Sequence, residues 1–96
     1  MPSADHTVKA TVTIINRLGL HARPAMALVD AANRHEAAVT IRKDGCDESH
    51  DAKSIMSVMM LAAGKGTKLQ LEATGPDADA VIEELKQLVA SKFDED

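Results

Sequence analysis

The sequence predicts an α+β fold in which a layer of helices packs on a sheet. Residues 7–14 and 68–73 alternate apolar and polar side chains with the period of two expected of a strand that has one buried face. Residues 25–32 and 81–89 instead repeat apolar side chains at the spacing of an amphipathic helix. Helices on one face of a sheet cover both kinds of apolar surface, so we expect a two-layer sandwich around one core.

The first half of the chain is predicted to contain three strands and one helix. After the first strand, a helix runs from about residue 22 to residue 34, and Pro24 lies just inside its start, where a fixed φ and a missing N–H cost little. Residues 37–42 alternate again and end at Asp44-Gly45, a dipeptide suited to a tight hairpin turn. The return strand, around residues 46–50, is short and polar, which is typical of an edge strand.

The second half is predicted to contain two helices and one strand. A helix runs from Ser54 to residue 62 or 63, where two nearby glycines end it. Residues 68–73 form the last strand, after which Gly75-Pro76 turns the chain. Asp77 is expected to cap a final helix. The apolar face of that helix consists of Val81, Leu85, Leu88 and Val89. The order of elements is therefore β-α-β-β-α-β-α.

Length and composition favour a single domain and exclude several functions. The 96 residues, of which 45% are hydrophobic, suffice for one core, so we expect one domain over residues 1–96 with a short polar tip at residues 1–6. The formal net charge is -4 and Phe93 is the only aromatic residue, which argues against nucleic-acid binding. No apolar run can span a membrane and no secretion leader is recognisable, so a cytoplasmic location is expected.

The single cysteine, Cys46, excludes an intrachain disulfide and fits a reducing compartment. Cys46 and His50 are two potential metal ligands, but without a third or fourth partner they fall short of a zinc site. We therefore expect neither a metal nor a cofactor.

The most informative segment is Leu18-Gly19-Leu20-His21-Ala22-Arg23-Pro24-Ala25, which sets His21 at the junction of a strand and a helix. The unpaired N–H groups of the first helical turn stabilise an anion there, and they disfavour the imidazolium, so the neutral ring keeps a lone pair for attack. Arg23 offers a guanidinium that can bind phosphate oxygens in two places. These features predict a phosphorylated histidine. The alternative is that His21 is only a solvated residue that caps the helix.

Together with Asn16-Arg17, this segment closely resembles the active-site segment of the HPr family, the histidine phosphocarriers of the bacterial phosphotransferase system. A second segment is similar to the family segment that bears a regulatory serine: Lys53-Ser54-Ile55-Met56-Ser57-Val58-Met59-Met60-Leu61-Ala62-Ala63-Gly64-Lys65-Gly66. Two motifs in the right order are far more specific than one. The resemblance covers the chain from about Val8 to its end.

The resemblance implies an open-faced sandwich of four antiparallel strands covered on one face by three helices. It also implies that enzyme I, phosphorylated from phosphoenolpyruvate, donates its phosphoryl group to Nδ1 of His21, while Arg23 and the helix N–H groups stabilise the transferring charge. His21 then passes the group to a IIA-type acceptor for sugar uptake or its regulation. Such a chain is a phosphorylated intermediate more than a self-contained enzyme.

The resemblance also implies that the second helix and the active-site helix form a docking face for these partners. The second helix is apolar nearly all round, and its buried stripe is expected to consist of Ile55, Val58, Leu61 and Ala62. Its methionines and Ala63 then point at least partly elsewhere, and methionine side chains repack readily against different partners. The predicted docking surface comprises Ala22, Arg23, Met26, Ile55, Met56, Met59 and Lys65.

Ser54 has two compatible roles. As the N-cap of the second helix it contributes about 1 kcal/mol, which explains its presence without regulation. It also matches the regulatory serine of the family, and a phosphate there would add nearly two negative charges to the docking face and repel acidic partners. The second role requires a serine kinase and a phosphorylase as further partners.

Two alternatives to a monomeric sugar-branch carrier stay open. Glu72-Ala73-Thr74-Gly75-Pro76 and Phe93-Asp94-Glu95-Asp96 look similar to the nitrogen branch of the family, whose acceptor regulates instead of importing sugar, whereas the Ser54 segment looks more like the sugar branch. The alternative from another class is a protein-interaction module, in which the methionines bind a partner and His21 takes no part. That module predicts a functional His21→Ala variant.

Overall fold

The computed structural model describes residues 6–95, which form a four-stranded antiparallel sheet and three α-helices in the predicted order. The elements are β1 (Thr7–Thr13), α1 (Ala22–Asn33), β2 (Ala38–Lys43), β3 (His50–Asp51), α2 (Ile55–Met59), β4 (Lys68–Thr74) and α3 (Ala78–Ala90), followed by a 3-10 turn at Lys92–Asp94. Residues 1–5 of the expected polar tip and residue 96 lie outside the described range. His6, the described residue of that tip, contacts Asp79 through Nε2 at 2.8 Å.

β4 lies at the centre of the sheet, because the strand order is β1-β4-β2-β3. Its alternating residues Leu69, Leu71 and Ala73 are buried, and the residues between them are exposed or half-buried. Leu28 of α1 and Leu85 of α3 are fully buried in the same core. The prediction of one core between a sheet and a layer of helices is confirmed.

The other face of the sheet is polar and carries side-chain hydrogen bonds between neighbouring strands. Thr11 donates to Gln70 at 3.0 Å, and the hydroxyls of Thr7 and Thr74 lie 3.0 Å apart. Lys9 on the same face is exposed. This solvated face makes the sandwich open on one side, as the family resemblance implies.

Two elements are shorter than predicted, and β3 is the first. The return strand was expected around residues 46–50, but β3 contains two residues, which pair as Thr40↔Asp51 and Ile41↔His50. Residues 46–49 are all exposed, so no buried side chain holds them to the sheet and the chain stays irregular there. Gly45 provides the predicted turn with φ +87°.

The helix α2 is also shorter than predicted, since it ends at Met59 instead of residue 62 or 63. Ala62 adopts a left-handed φ of 50°, so the helix breaks before the glycines. The break turns Ala63 into the core, where it is 4% exposed. The predicted buried stripe is therefore half right: Val58 and Leu61 are buried, whereas Ile55 and Ala62 are exposed.

Asp77 precedes α3 as predicted, but its side chain does not cap that helix. Its carboxylate instead accepts hydrogen bonds from the backbone N–H groups of Glu36 at 2.9 Å and Ala37 at 2.8 Å. His35 stands beside it, with Nδ1 3.3 Å from Asp77 Oδ2 and Nε2 2.8 Å from Glu84 Oε1. These contacts join the connection after α1 to α3.

The two carboxylates of this cluster make stability depend on pH. The backbone N–H of Glu36, with that of Ala37, lowers the pKa of Asp77, and hydrogen bonds from His35 and Arg34 lower the pKa of Glu84. A carboxyl group whose pKa is lowered on folding stabilises the fold above its unfolded value, and this contribution is lost as pH falls through the folded value.

We expect the urea-measured free energy of unfolding to fall below about pH 5, and Asp77→Asn to flatten that dependence. Asp30→Asn is the matched control, because Asp30 is an exposed carboxylate of α1. An identical pH dependence in Asp77→Asn and the wild type would contradict the assignment.

Candidate functional site

His21 occupies the N-cap position of α1 with an extended backbone, φ -77° and ψ -172°. Its carbonyl accepts the first helical hydrogen bond, from the N–H of Ala25 at 2.9 Å. Its side chain makes no hydrogen bond that caps the helix. The ring projects beside the helix start with 36% of its side chain exposed. Backbone N–H groups of this first turn have no intrahelical acceptor, so an anion can bind there.

The loop before His21 is bonded to the segment after α2. Gly19 has φ +72°, and a Cβ built there would lie 2.7 Å from the carbonyl oxygen of Ala63 and 2.8 Å from the Cα of Gly64. The N–H of Leu20 donates to that same oxygen at 2.8 Å. The absence of a side chain at Gly19 therefore lets the two backbones approach and sets the position of His21.

Asn16 links this loop to the last described turn of the chain. It is fully buried, and its Nδ2 donates to the carbonyl of Gly19 at 2.7 Å and to Glu95 Oε1 at 3.0 Å. Glu95 Oε1 also lies 2.9 Å from His21 Nε2. The hydrogen bond with His21, helped by that from Asn16, lowers the pKa of Glu95. The carboxylate is thus ionised where it meets the ring.

Arg23 is exposed on the first turn of α1 and forms no hydrogen bond or ion pair within residues 6–95. Its positive charge contributes to the lowered pKa of Glu95, after the hydrogen bonds described above. A guanidinium that no carboxylate within residues 6–95 binds directly is available to bind a phosphoryl group. The structure therefore brings His21, an uncapped helix start and a free arginine together, as the sequence predicted.

The second predicted site residue, Ser54, is the N-cap of α2. Its Oγ accepts a hydrogen bond from the N–H of Ser57 at 3.3 Å, which confirms the capping role. Its regulatory role stays a prediction.

All residues of the predicted docking surface are exposed. The large apolar members include Met56, 74% exposed, and Met26, 57% exposed. The others are Ala22, Arg23, Ile55, Met59 and Lys65. Because α1 packs on α2, the exposed residues of both helices contribute to this surface.

Within residues 6–95, no three histidine, cysteine or acidic side chains come close enough together to hold a metal ion. In the same range, no helix has the length and apolar character needed to cross a membrane.

Two residues of the site, Asn16 and Glu95, were not predicted as site residues. The sequence indicates Asn16 only as a neighbour of the active-site segment, and Glu95 only as part of a segment that resembles the nitrogen branch. Their contact spans 79 positions of the sequence. No local pattern could have revealed it, although the isolated Phe93 among polar residues signals a segment that folds back onto the core.

Comparison with known proteins agrees with this geometry. The family model described as "PTS HPr component phosphorylation site" matches residues 8–91. The phosphocarrier protein HPr of Pseudomonas aeruginosa is 46% identical over 84 residues, which cover 88% of this chain and 92% of that protein. The phosphocarrier protein NPr of Escherichia coli is 42% identical over 90 residues, which cover 94% of this chain and 99% of that protein. An HPr crystal structure from Thermoanaerobacter tengcongensis superposes with a TM-score of 0.87 at 37% identity and covers 93% of this chain and 98% of that one.

The chain belongs to the HPr family and is a phosphocarrier of the phosphotransferase system. Proteins of this family work with enzyme I and IIA proteins. Sugar-branch and nitrogen-branch roles both fit, since the relatives include HPr and NPr proteins.

The contact of Gly19 with the Ala63 backbone can be tested with a matched pair of variants. Gly45→Ala adds a methyl group at a left-handed residue with nothing within 4 Å, so it should cost about 1 kcal/mol of stability. Gly19→Ala adds the same cost and a collision, so we expect roughly 1–3 kcal/mol more. Urea unfolding measures both, and amide exchange of Leu20 should accelerate only in Gly19→Ala. Equal losses of unfolding free energy in the two variants would show that Gly19 does not lie close to the backbone of Ala63 and Gly64.

Proposed function

We propose that His21 is the residue that carries the phosphoryl group. The single observation that carries this proposal is the position of the ring, half-exposed at a helix start that no side chain caps. The first N–H groups of a helix have no intrahelical acceptor, so they can donate to a phosphoryl group on His21, and the helix dipole favours its negative charge. The matching family, described by its phosphorylation site, supports the same assignment.

Transfer proceeds from a phosphohistidine of enzyme I to the neutral ring of His21, in line with the breaking bond. Arg23 binds the equatorial oxygens, because its guanidinium is exposed and has no carboxylate partner within residues 6–95. The N–H groups of the first turn of α1 stabilise the charge that develops. His21 then donates the group to a IIA-type acceptor by the reverse geometry.

Both partners dock on the surface formed by Ala22, Arg23, Met26, Ile55, Met56, Met59 and Lys65. Its exposed methionines adapt to two different partner surfaces, and its limited extent suits short encounters. The protein acts in the cytoplasm as a monomer. Transfer to IIA acceptors of the sugar and nitrogen branches, compared side by side, discriminates between the two roles.

His21→Ala should abolish phosphorylation without unfolding the protein. The test is the intact mass after incubation with phosphoenolpyruvate and enzyme I, before and after mild acid, which hydrolyses phosphohistidine but spares phosphoserine. We expect one acid-labile phosphate in the wild type and none in His21→Ala, whose far-UV circular dichroism should be unchanged. Arg23→Ala should accept phosphate more slowly, by roughly tenfold to a hundredfold, because one charge-assisted contact is lost.

An acid-labile phosphate retained in His21→Ala would overturn the assignment and favour the interaction module. A Lys9→Ala variant serves as a charge control for Arg23→Ala, since Lys9 is an exposed cation on the open face of the sheet, outside the docking surface.

We further propose that phosphorylation of Ser54 slows transfer electrostatically. Ser54→Ala should cost about 1 kcal/mol of stability through the lost cap and leave transfer from enzyme I unchanged. Ser54→Asp keeps a capping oxygen but adds a negative charge to the docking surface, so the KM for enzyme I should rise. Ser57→Asp, on the same short helix, tests whether any added charge is sufficient. A KM unchanged in Ser54→Asp would exclude the electrostatic switch.

A further inference from the structure

A carboxylate from a distant part of the sequence contacts the ring of His21. Glu95 and His21 are 74 positions apart, yet Glu95 Oε1 lies 2.9 Å from His21 Nε2. The fully buried Asn16 donates to the same oxygen at 3.0 Å. The buried amide of Asn16 orients the carboxylate of Glu95, which in turn contacts the ring of His21. This hydrogen-bonded chain of three side chains differs from an isolated surface ion pair.

The turn that delivers Glu95 is strained and anchored in the core. Lys92, Phe93 and Asp94 have φ values of 58°, 55° and 57°, which L-residues rarely adopt in succession. Phe93 is only 8% exposed, so its burial offsets the backbone strain. The N–H of Glu95 donates to the carbonyl of Lys92 at 3.0 Å, which closes the turn. The strained segment ends where its carboxylate meets the ring.

The contact with Glu95 determines which ring nitrogen of His21 carries the proton. An ionised carboxylate only accepts hydrogen bonds, so the nitrogen that faces it, Nε2, is the donor and carries the hydrogen. A neutral imidazole has one N–H, so its lone pair resides on Nδ1. Nδ1 has no hydrogen-bond partner within residues 6–95. The unprotonated nitrogen is therefore the one open to an incoming group.

We propose that Glu95 is a positioning residue that holds His21 as the Nε2–H tautomer and so presents the lone pair of Nδ1 to the phosphoryl group. This inference rests on the proposed role of His21. In the step, the Nδ1 lone pair forms the new N–P bond, the P–N bond of the donor histidine breaks, and its electron pair returns to the donor nitrogen. The proton stays on Nε2, so the ring gains positive charge.

Glu95 has a second effect on the phosphorylated ring. The carboxylate 2.9 Å from Nε2 stabilises the positive charge that the ring gains. It also retains the Nε2 proton afterwards, which keeps the imidazole a good leaving group for the next acceptor. Both directions of transfer, onto His21 and away from it, are therefore expected to depend on this carboxylate.

Three variants test the proposal with two measurements. Nitrogen NMR of histidine labelled with ¹⁵N reports which ring nitrogen is protonated, and rapid-quench assays report transfer from phosphorylated enzyme I. Glu95→Ala removes the acceptor, so we expect mixed tautomers and transfer slower by about tenfold. Glu95→Gln keeps a carbonyl acceptor without the charge, so it should retain the tautomer and recover part of the rate. Asp94→Asn removes a charge from the same turn, suits a positive φ, and should match the wild type in both measurements.

The outcomes separate this inference from the proposed function. Glu95→Ala with a wild-type ring spectrum and transfer rate would overturn the inference while leaving His21 as the acceptor. A slower Glu95→Ala without a change of tautomer would also overturn it. If the wild type itself acquires no phosphate, the proposed function fails, and the role of Glu95 in phosphoryl transfer fails with it.

Discussion

The site depends on the bonding of one irregular backbone segment to another. The chain leaving β1 is held to the chain entering β4 by three hydrogen bonds: Ile14 N–H to Thr67 O at 2.9 Å, Gly66 N–H to Ile14 O at 2.7 Å and Leu20 N–H to Ala63 O at 2.8 Å. Each of these bonds joins residues that are more than forty positions apart along the chain, since even the shortest separation runs from Leu20 to Ala63. They place the start of α1 beside the end of α2, so the histidine and the methionine-rich surface share one side of the molecule.

One correction to the predicted fold, the early end of α2, follows from this bonding. β1, β4 and the long helices were predictable because alternation and helical spacing directly record which side chains face the core. The early end of α2 was not, because Ala62 takes a left-handed φ without being glycine. The left-handed conformation of Ala62 brings Ala63 against Gly19, which is a contact between segments distant in the sequence. The His21–Arg23 part of the site was predictable because a motif is local, whereas Glu95 arrives through the folded core.

The chain uses histidines in two contrasting environments that composition does not distinguish. His35 is 16% exposed and has both ring nitrogens facing carboxylates, those of Asp77 and Glu84. Such a ring has no nitrogen left for chemistry and serves to join elements. His21 has one nitrogen engaged and one open, and more of its side chain is exposed. The two rings therefore differ in the number of nitrogens that the fold leaves unpaired within residues 6–95, one in His21 and none in His35.

Phe93 gives this protein an internal spectroscopic reporter. It is the sole aromatic residue apart from the histidines, and it is buried at the base of the turn that ends in Glu95. The ring current of a phenylalanine shifts the resonances of nearby methyl groups only while the ring stays in place. The position of the turn can therefore be followed in the wild-type protein, without a label, through the methyl signals of the surrounding aliphatic core.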